Sequence, residues 1–302
     1  MISTHYRISS PHILIGAALL CWIALCTPSV RAADADVEKQ LAEKGVKFAS
    51  VKGVITSANI PDCSTWTDAD FMNLAQLAHL KSLDFASGLT DKGAALLAGL
   101  PELDTIQTNK AQITDTGVKA FAGYKSLRVL KFFHPNKSFT GAGLADLASL
   151  PTLQSLTVAG SDSFGDAGMA AVGKLQQLRE FRTWHAGQTP SGMAKLRELT
   201  NLRSLNLGQA LRYKAPAAVS DETIAILLEM KSLESIQLSE ARLKLSALLE
   251  LKHLPNLKTL TLDGIDLPEA DVETLKREMP KVQVKWTKPT ESYARRIKAL
   301  FG

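Results

Sequence analysis

The chain has 302 residues, 45% of them apolar, with 35 Lys and Arg against 30 Asp and Glu and a formal net charge of +5. So slight a positive excess makes neither nucleic acid nor an anionic membrane surface the default partner. Cys21 and Cys26 fall in a segment expected to be removed and Cys63 then stands alone, so no internal disulfide forms and stability must come from packing.

Residues 1–32 read as a signal for export. Arg7 and the amino terminus form a thin positive region, residues 13–26 are apolar, and Val30-Arg31-Ala32 precedes a suitable cut between Ala32 and Ala33. An uncleaved membrane anchor is the competing reading, but this apolar run is shorter than the roughly 18–20 residues a spanning helix needs. Cleavage removes Arg7 and Arg31 and lowers the net charge from +5 to +3. The mature chain is then expected to have no transmembrane span and to be periplasmic, on the cell surface or extracellular.

Residues 33–50 have the pattern of a short amphipathic helix, with Val37, Leu41 and Val46 set among Glu38, Lys39, Glu43 and Lys44. This helix is expected to cap the amino-terminal end of a repeat domain. From residue 51 to 286 one leucine-spaced phrase returns ten times, starting at about Val51, Leu80, Leu103, Leu127, Leu153, Leu178, Leu202, Leu233, Leu257 and Lys281. A unit of this length cannot bury its own apolar face and must stack on its neighbours, which predicts a solenoid. Residues 287–302 read as a frayed helix or a loose tail.

Each unit has two halves. In the first, apolar residues at unit positions 1, 4 and 6, as in Leu202, Leu205 and Leu207, predict a short strand with positions 4 and 6 facing inward. In the second, a turn phrase such as Ile113-Thr-Asp-Thr-Gly117 or Phe164-Gly-Asp-Ala-Gly168 opens a helix. Its Thr and Asp are suited to accept bonds from the free amides of the helix start. The helix half keeps a constant length, and inserts fall between strand and helix, at residues 59–66 and 209–220. Such inserts are where a specific function tends to sit.

The phrase Leu153-x-x-Leu156-x-Val158, followed by Phe164-x-Asp166-x-Gly168, resembles the leucine-rich-repeat superfamily. Ile113-Thr114-Asp115-Thr116-Gly117 is similar to the turn phrase of its helix-backed subclass, and the likeness extends to exported bacterial repeat proteins. The resemblance implies an α/β horseshoe with a concave parallel β-sheet and convex α-helices in about ten repeats. One departure stands out: many members carry Asn or Cys at unit position 9, where this chain has Ala111, Ser161, Ala210, Ala241 and Ile265. The loop amides there must find other partners, such as backbone pairing or water.

None of the common catalytic motifs is present: no G-x-x-x-x-G-K-[ST], H-E-x-x-H, C-x-x-C or G-x-S-x-G. Asp91, Asp115 and Asp166 recur once per unit, as helix-start residues would, so neither a metal nor a cofactor is expected. Gly141-Ala-Gly143 reads as structural. A non-enzymatic binding protein is therefore expected, with another protein as partner and a polysaccharide or envelope polymer as the alternative. Unit positions 5 and 7 point out of the sheet. In neighbouring repeats they hold Lys131 and Arg182, and Phe133 and Trp184, with His134 and His185 at the same strand ends and Arg212 and Tyr213 in the seventh repeat's insert. Aromatic and arginine side chains together make up the hot spots of interfaces, so these eight residues are the candidate site.

Overall fold

The computed structural model describes residues 28–210 and 216–302, with side chains from residue 33 onward. Most of the expected signal, residues 1–27, lies outside the described residues. Helix α1 (Pro28–Glu43) runs across the expected cut at Ala32 and buries Val37 and Leu41. The helix expected over residues 33–50 ends at Glu43. Gly45 then takes a φ of +85°, a conformation open to glycine at little cost, and turns the chain back. Residues Lys47–Val51 become strand β1, antiparallel to β2 (Val54–Ile60).

From β2 onward every pairing is parallel and follows chain order: β3 (Ser82–Phe85), β4 (Thr105–Asn109), β5 (Val129–Phe133), β6 (Ser155–Ser161), β7 (Glu180–Ala186), β8 (Ser204–Leu207), β9 (Ser235–Ser239), β10 (Thr259–Asp263) and β11 (Gln283–Thr287). The register sets position 4 of each unit beside position 4 of the next, as in Ile106↔Leu130 and Leu156↔Phe181. Positions 4 and 6 are buried from β2 through β10. Strands lie about 4.8 Å apart while packed helices need roughly 8–10 Å, so the strands take the inner arc.

The first repeat is shifted from the sequence reading. Ala58 pairs with Leu83, so this unit starts at Ile55 and not at Val51. Its position 9 is then Cys63, one of the two residue types the repeat family favours there. The Cys63 thiol is buried and donates to the Ser87 carbonyl at 3.1 Å. Burial, with the Asp62 charge beside it, pushes its pKa up to about 12, which favours the neutral thiol at neutral pH. At two of the alanine positions the loop backbones pair directly: the Asn136 amide donates to the Ala111 carbonyl at 3.1 Å, and the Asp266 amide to that of Ala241 at 2.9 Å.

The convex side is a row of short elements: α2 (Asp68–Ala75), α3 (Asp91–Leu97), two 3-10 helices (Gly117–Gly123 and Ala142–Ser149), α4 (Asp166–Gly173), α5 (Pro190–Met193), α6 (Asp221–Leu227), α7 (Leu245–Glu250) and α8 (Glu269–Glu278). Under them runs a chain of aromatic rings. Phe121 meets Phe132 edge-on at 5.5 Å between centroids, Phe132 meets Phe139 at 4.9 Å, and Phe139 stacks toward Phe164 at 6.4 Å. All four are fully buried.

The recurring Asp does not cap its own helix. Asp91 accepts the backbone amide and the hydroxyl of Thr114 in the next unit, at 2.8 and 2.7 Å. Asp166 does the same for Thr189, and Asp115 holds the amides of Thr140 and Gly141 together with the Thr140 hydroxyl. Thr90 and Thr114 do cap, each accepting the amide of the glycine three residues on. The glycine of the phrase has a steric cause. A Cβ on Gly117 would lie 1.7 Å from the Asp91 carboxylate, and one on Gly143 would lie 2.0 Å from the Asp115 carbonyl oxygen. The turn phrase is thus a lock between repeats as well as a helix start.

A second ladder runs along the rim where the strands end. Position 8 adopts a positive φ in Lys110, His134, Gly160, His185, Glu240 and Gly264. The turn sends one more amide across to the next strand: Lys110 to the Phe133 carbonyl at 2.9 Å, His134 to Ala159 at 2.8 Å, Glu240 to Asp263 at 2.9 Å. A side chain there strains the backbone. Lys110→Gly is therefore expected to stabilise the protein by about 0.5–1 kcal/mol, relief of strain outweighing the entropy of glycine. A urea titration checks this, and a midpoint equal to or below wild type would contradict it.

The carboxyl-terminal segment is not a loose tail. Residues Glu291–Phe301 form helix α9, with Ile297 fully buried and Thr290 capping its start. Arg242 ties it down by donating to the Gly302 carbonyl at 3.0 Å. The amphipathic spacing of Tyr293, Ile297 and Phe301 lays one face of the helix on the rim. Among the described residues, no helix is long and apolar enough to cross a membrane.

Candidate functional site

Six of the eight expected site residues lie among the described residues, and the sheet brings them together. The register sets Lys131, Thr157 and Arg182 side by side in the position-5 row, and Phe133, Ala159 and Trp184 in the position-7 row. Thr157 and Ala159 are each 2% exposed, covered by the larger neighbours on both sides. Phe133 and Trp184 are half-buried, and their ring centroids stand 6.1 Å apart at an interplanar angle of 52°. They meet above Ala159, a geometry within the favourable range for aromatic pairs.

Small neighbours make this possible. On the far side of Trp184 the next strand presents Gly208, where a Cβ would come within 2.6 Å of the tryptophan Cβ. Beside His134 it presents Gly160, whose Cβ would lie 2.4 Å from the imidazole. Two aromatics separated by one alanine, with Gly208 beyond Trp184 and Asn109 beyond Phe133, form an apolar step on a sheet whose other outward positions are mostly polar.

The polar groups differ in how free they are. Arg182 is exposed and donates to Glu180, with Nε at 2.8 Å; Glu180 also accepts from the Ser155 hydroxyl at 2.7 Å. Exposed pairs of this kind contribute little to stability and break readily. Lys131, half-buried, makes no ion pair among the described residues. His134 is exposed and its Nδ1 lies 3.0 Å from the Asn109 side-chain oxygen. His185 is half-buried, with Nε2 at 2.9 Å from the Glu240 carboxylate two repeats away. Arg212 and Tyr213 lie outside the described residues.

Glu240 leads on to the carboxyl-terminal helix. Its negative charge, then burial and a hydrogen bond to the same carboxylate, hold the Tyr293 phenol above its ordinary range. His185, Glu240 and Tyr293 thus form a polar run along the rim from the aromatic step to α9. Between His185 and Glu240, Gln209 turns inward and is fully buried. Its Nε2 donates to the Val219 carbonyl at 2.7 Å and its Oε1 accepts the Ala218 amide at 3.1 Å, pinning both ends of the insert. Glu240 was legible as a position-8 residue in line with His134 and His185; Tyr293, beyond the repeats, gave no signal. Among the described residues, no group of three or more His, Cys, Asp or Glu side chains converges to hold a metal.

No family model matches the chain, and no curated protein matches it by sequence. Among solved structures it is similar to an internalin, InlF, of Listeria monocytogenes: 16% identity over 77% of this chain and 75% of that one, with a TM-score of 0.43. It is also similar to human 5T4, the trophoblast glycoprotein called Wnt-activated inhibitory factor 1: 22% identity over 68% of this chain and 79% of that one, with a TM-score of 0.44. The chain's own repeats carry the assignment of fold, through ten parallel strands in sequence order, inward positions 4 and 6, and short helices on the outer arc. The protein is a leucine-rich-repeat solenoid.

Proposed function

We propose that the protein is a non-enzymatic, exported binding protein that grips another protein through the concave face of β5–β7 and the adjoining rim. The observation that supports this best is the step of Phe133 and Trp184 over Ala159, cleared by Gly208, with Lys131 and Arg182 one row away. Aromatic rings bring a large, rigid apolar contact at small entropic cost, and the cations beside them select a partner with acidic groups. A broad, open sheet suits a large ligand better than a small substrate. Export rests on residues 1–32 alone.

The test compares wild type with the Phe133→Ala, Arg182→Glu, Trp184→Ala variant as bait for envelope and secreted proteins of the source organism. Matched circular dichroism spectra confirm equal folding first. The expected result is a protein retained by wild type and released by the variant, a loss of at least about 100-fold in affinity from two hot-spot truncations and one charge reversal. Equal retention by both baits overturns the site. Retention of a glycan in place of a protein, by Trp184 alone, supports the polysaccharide alternative, because stacking on a sugar ring needs only one aromatic face.

A further inference from the structure

The two ends of the solenoid are closed differently. At the amino-terminal end α1 and β1 fold against the first repeat, and Val37, Leu41 and Val46 are buried there. At the other end the last unit has a strand, β11, and among the described residues no helix stacks beyond it. Helix α9 turns away along the rim, with Tyr293 beside Gly264 and Glu240 and with Gly302 at Arg242. Val284 and Trp286 occupy positions 4 and 6 of this unit. Their counterparts Leu260 and Leu262 are 0% exposed, whereas Val284 and Trp286 are only half-buried. A groove of about 540 Å³ opens between β11 and α8, with Val272, Val284 and Trp286 as its apolar floor and Glu273, Lys276 and Lys285 around it.

The backbone at this edge is oriented to receive another strand. In the parallel ladder, odd positions donate to the preceding strand, as the Gln283 amide does to the Lys258 carbonyl at 2.8 Å. Position 8 donates to the following one, as Lys110 and His134 do, and because alternate amides along a strand point to opposite sides, positions 4 and 6 face the same way. The amides of Val284 and Trp286 therefore point outward, where no strand follows among the described residues. Exposed edges of this kind accept extended peptides, with main-chain bonds supplying affinity and alternate side chains supplying selectivity.

The charges say which peptide. Lys285 stands on the concave side at the middle of β11 and Lys281 just before its start, and neither makes an ion pair among the described residues; Lys276 and Lys288 are matched by Glu273 and Glu269. A second copy of this chain pairing the whole of β11 antiparallel, about a two-fold axis at its middle residue, would set Lys285 against Lys285, which is unfavourable. We infer that β11 and its groove form a second docking site, for an extended segment of a partner protein that alternates apolar and acidic residues. Its apolar side chains extend the floor beside Val284 and Trp286, and a carboxylate faces Lys285.

The probe is a capped seven-residue peptide alternating valine and glutamate, with a valine–lysine peptide and a proline-interrupted valine–glutamate peptide as controls, each titrated into the full chain. Amide exchange read by NMR is expected to slow at least tenfold at Val284 and Trp286 with the glutamate peptide only. Lys285→Glu, an exposed change whose folding is checked by its melting temperature, is expected to weaken that peptide at least tenfold and to favour the lysine peptide. No binding of the glutamate peptide at millimolar concentration, equal binding of both charges, or protection elsewhere than β11 each overturns the proposal. The concave-face variant leaves this binding unchanged, so the two sites stand or fall separately.

Discussion

Phe139→Ala is expected to destabilise the protein by about 3–5 kcal/mol, the range for removing a buried phenylalanine from a core that cannot close up. Phe139 is fully buried between Phe132 and Phe164, at 4.9 and 6.4 Å between centroids, so its loss breaks the aromatic chain that joins the fourth repeat to the fifth. Because each repeat is supported mainly by its neighbours, the break is expected to split one cooperative unfolding transition into two. Phe139→Leu keeps most of the volume and is expected to cost less than half as much. Calorimetry of the three proteins checks both expectations; a wild-type melting curve for the alanine variant would contradict them.

Asp115→Ala is expected to cost about 2–3 kcal/mol, although no apolar surface is lost. The carboxylate holds two amides, those of Thr140 at 3.2 Å and Gly141 at 2.8 Å, and also the Thr140 hydroxyl. Bonds to a charged acceptor are worth roughly 1.5–3 kcal/mol, and leaving half-buried amides without a partner adds to the loss. Asp115→Asn retains one oxygen acceptor and is expected to fall between alanine and wild type. Denaturant titration ranks the three. If Asp115 acted only at the start of its own helix, as its place in the turn phrase suggests, alanine would cost about 1 kcal/mol.

The repeat architecture was legible because leucine spacing reports directly on which residues face inward, and a strand exposes alternate side chains whatever its neighbours are. Leu205, Leu207, Leu260 and Leu262 are buried as their positions required. The candidate site was legible to the same depth: positions 5 and 7 had to point outward, and the register had to align Lys131 with Arg182 and Phe133 with Trp184. That Phe133 and Trp184 touch was not legible, since contact across an intervening strand depends on sheet curvature and on Ala159 and Gly208 leaving room. The first repeat was misplaced by four residues because Val51 and Val54 imitate its spacing while belonging to a hairpin. Its cysteine was in place all along.

Periodicity in the sequence by itself determined the solenoid, its ten parallel strands and the inward and outward faces of each, because these follow from local geometry repeated many times. Only the tertiary structure decided who partners whom between repeats. It assigned Asp115 to the next unit and not to its own helix, and gave His185 to Glu240 across a repeat whose own rim residue turns inside. It folded α9 onto the rim and left β11 open. Each of these depends on distances between residues more than twenty apart in sequence, set by the stacking angle of the units, and no local pattern encodes that angle.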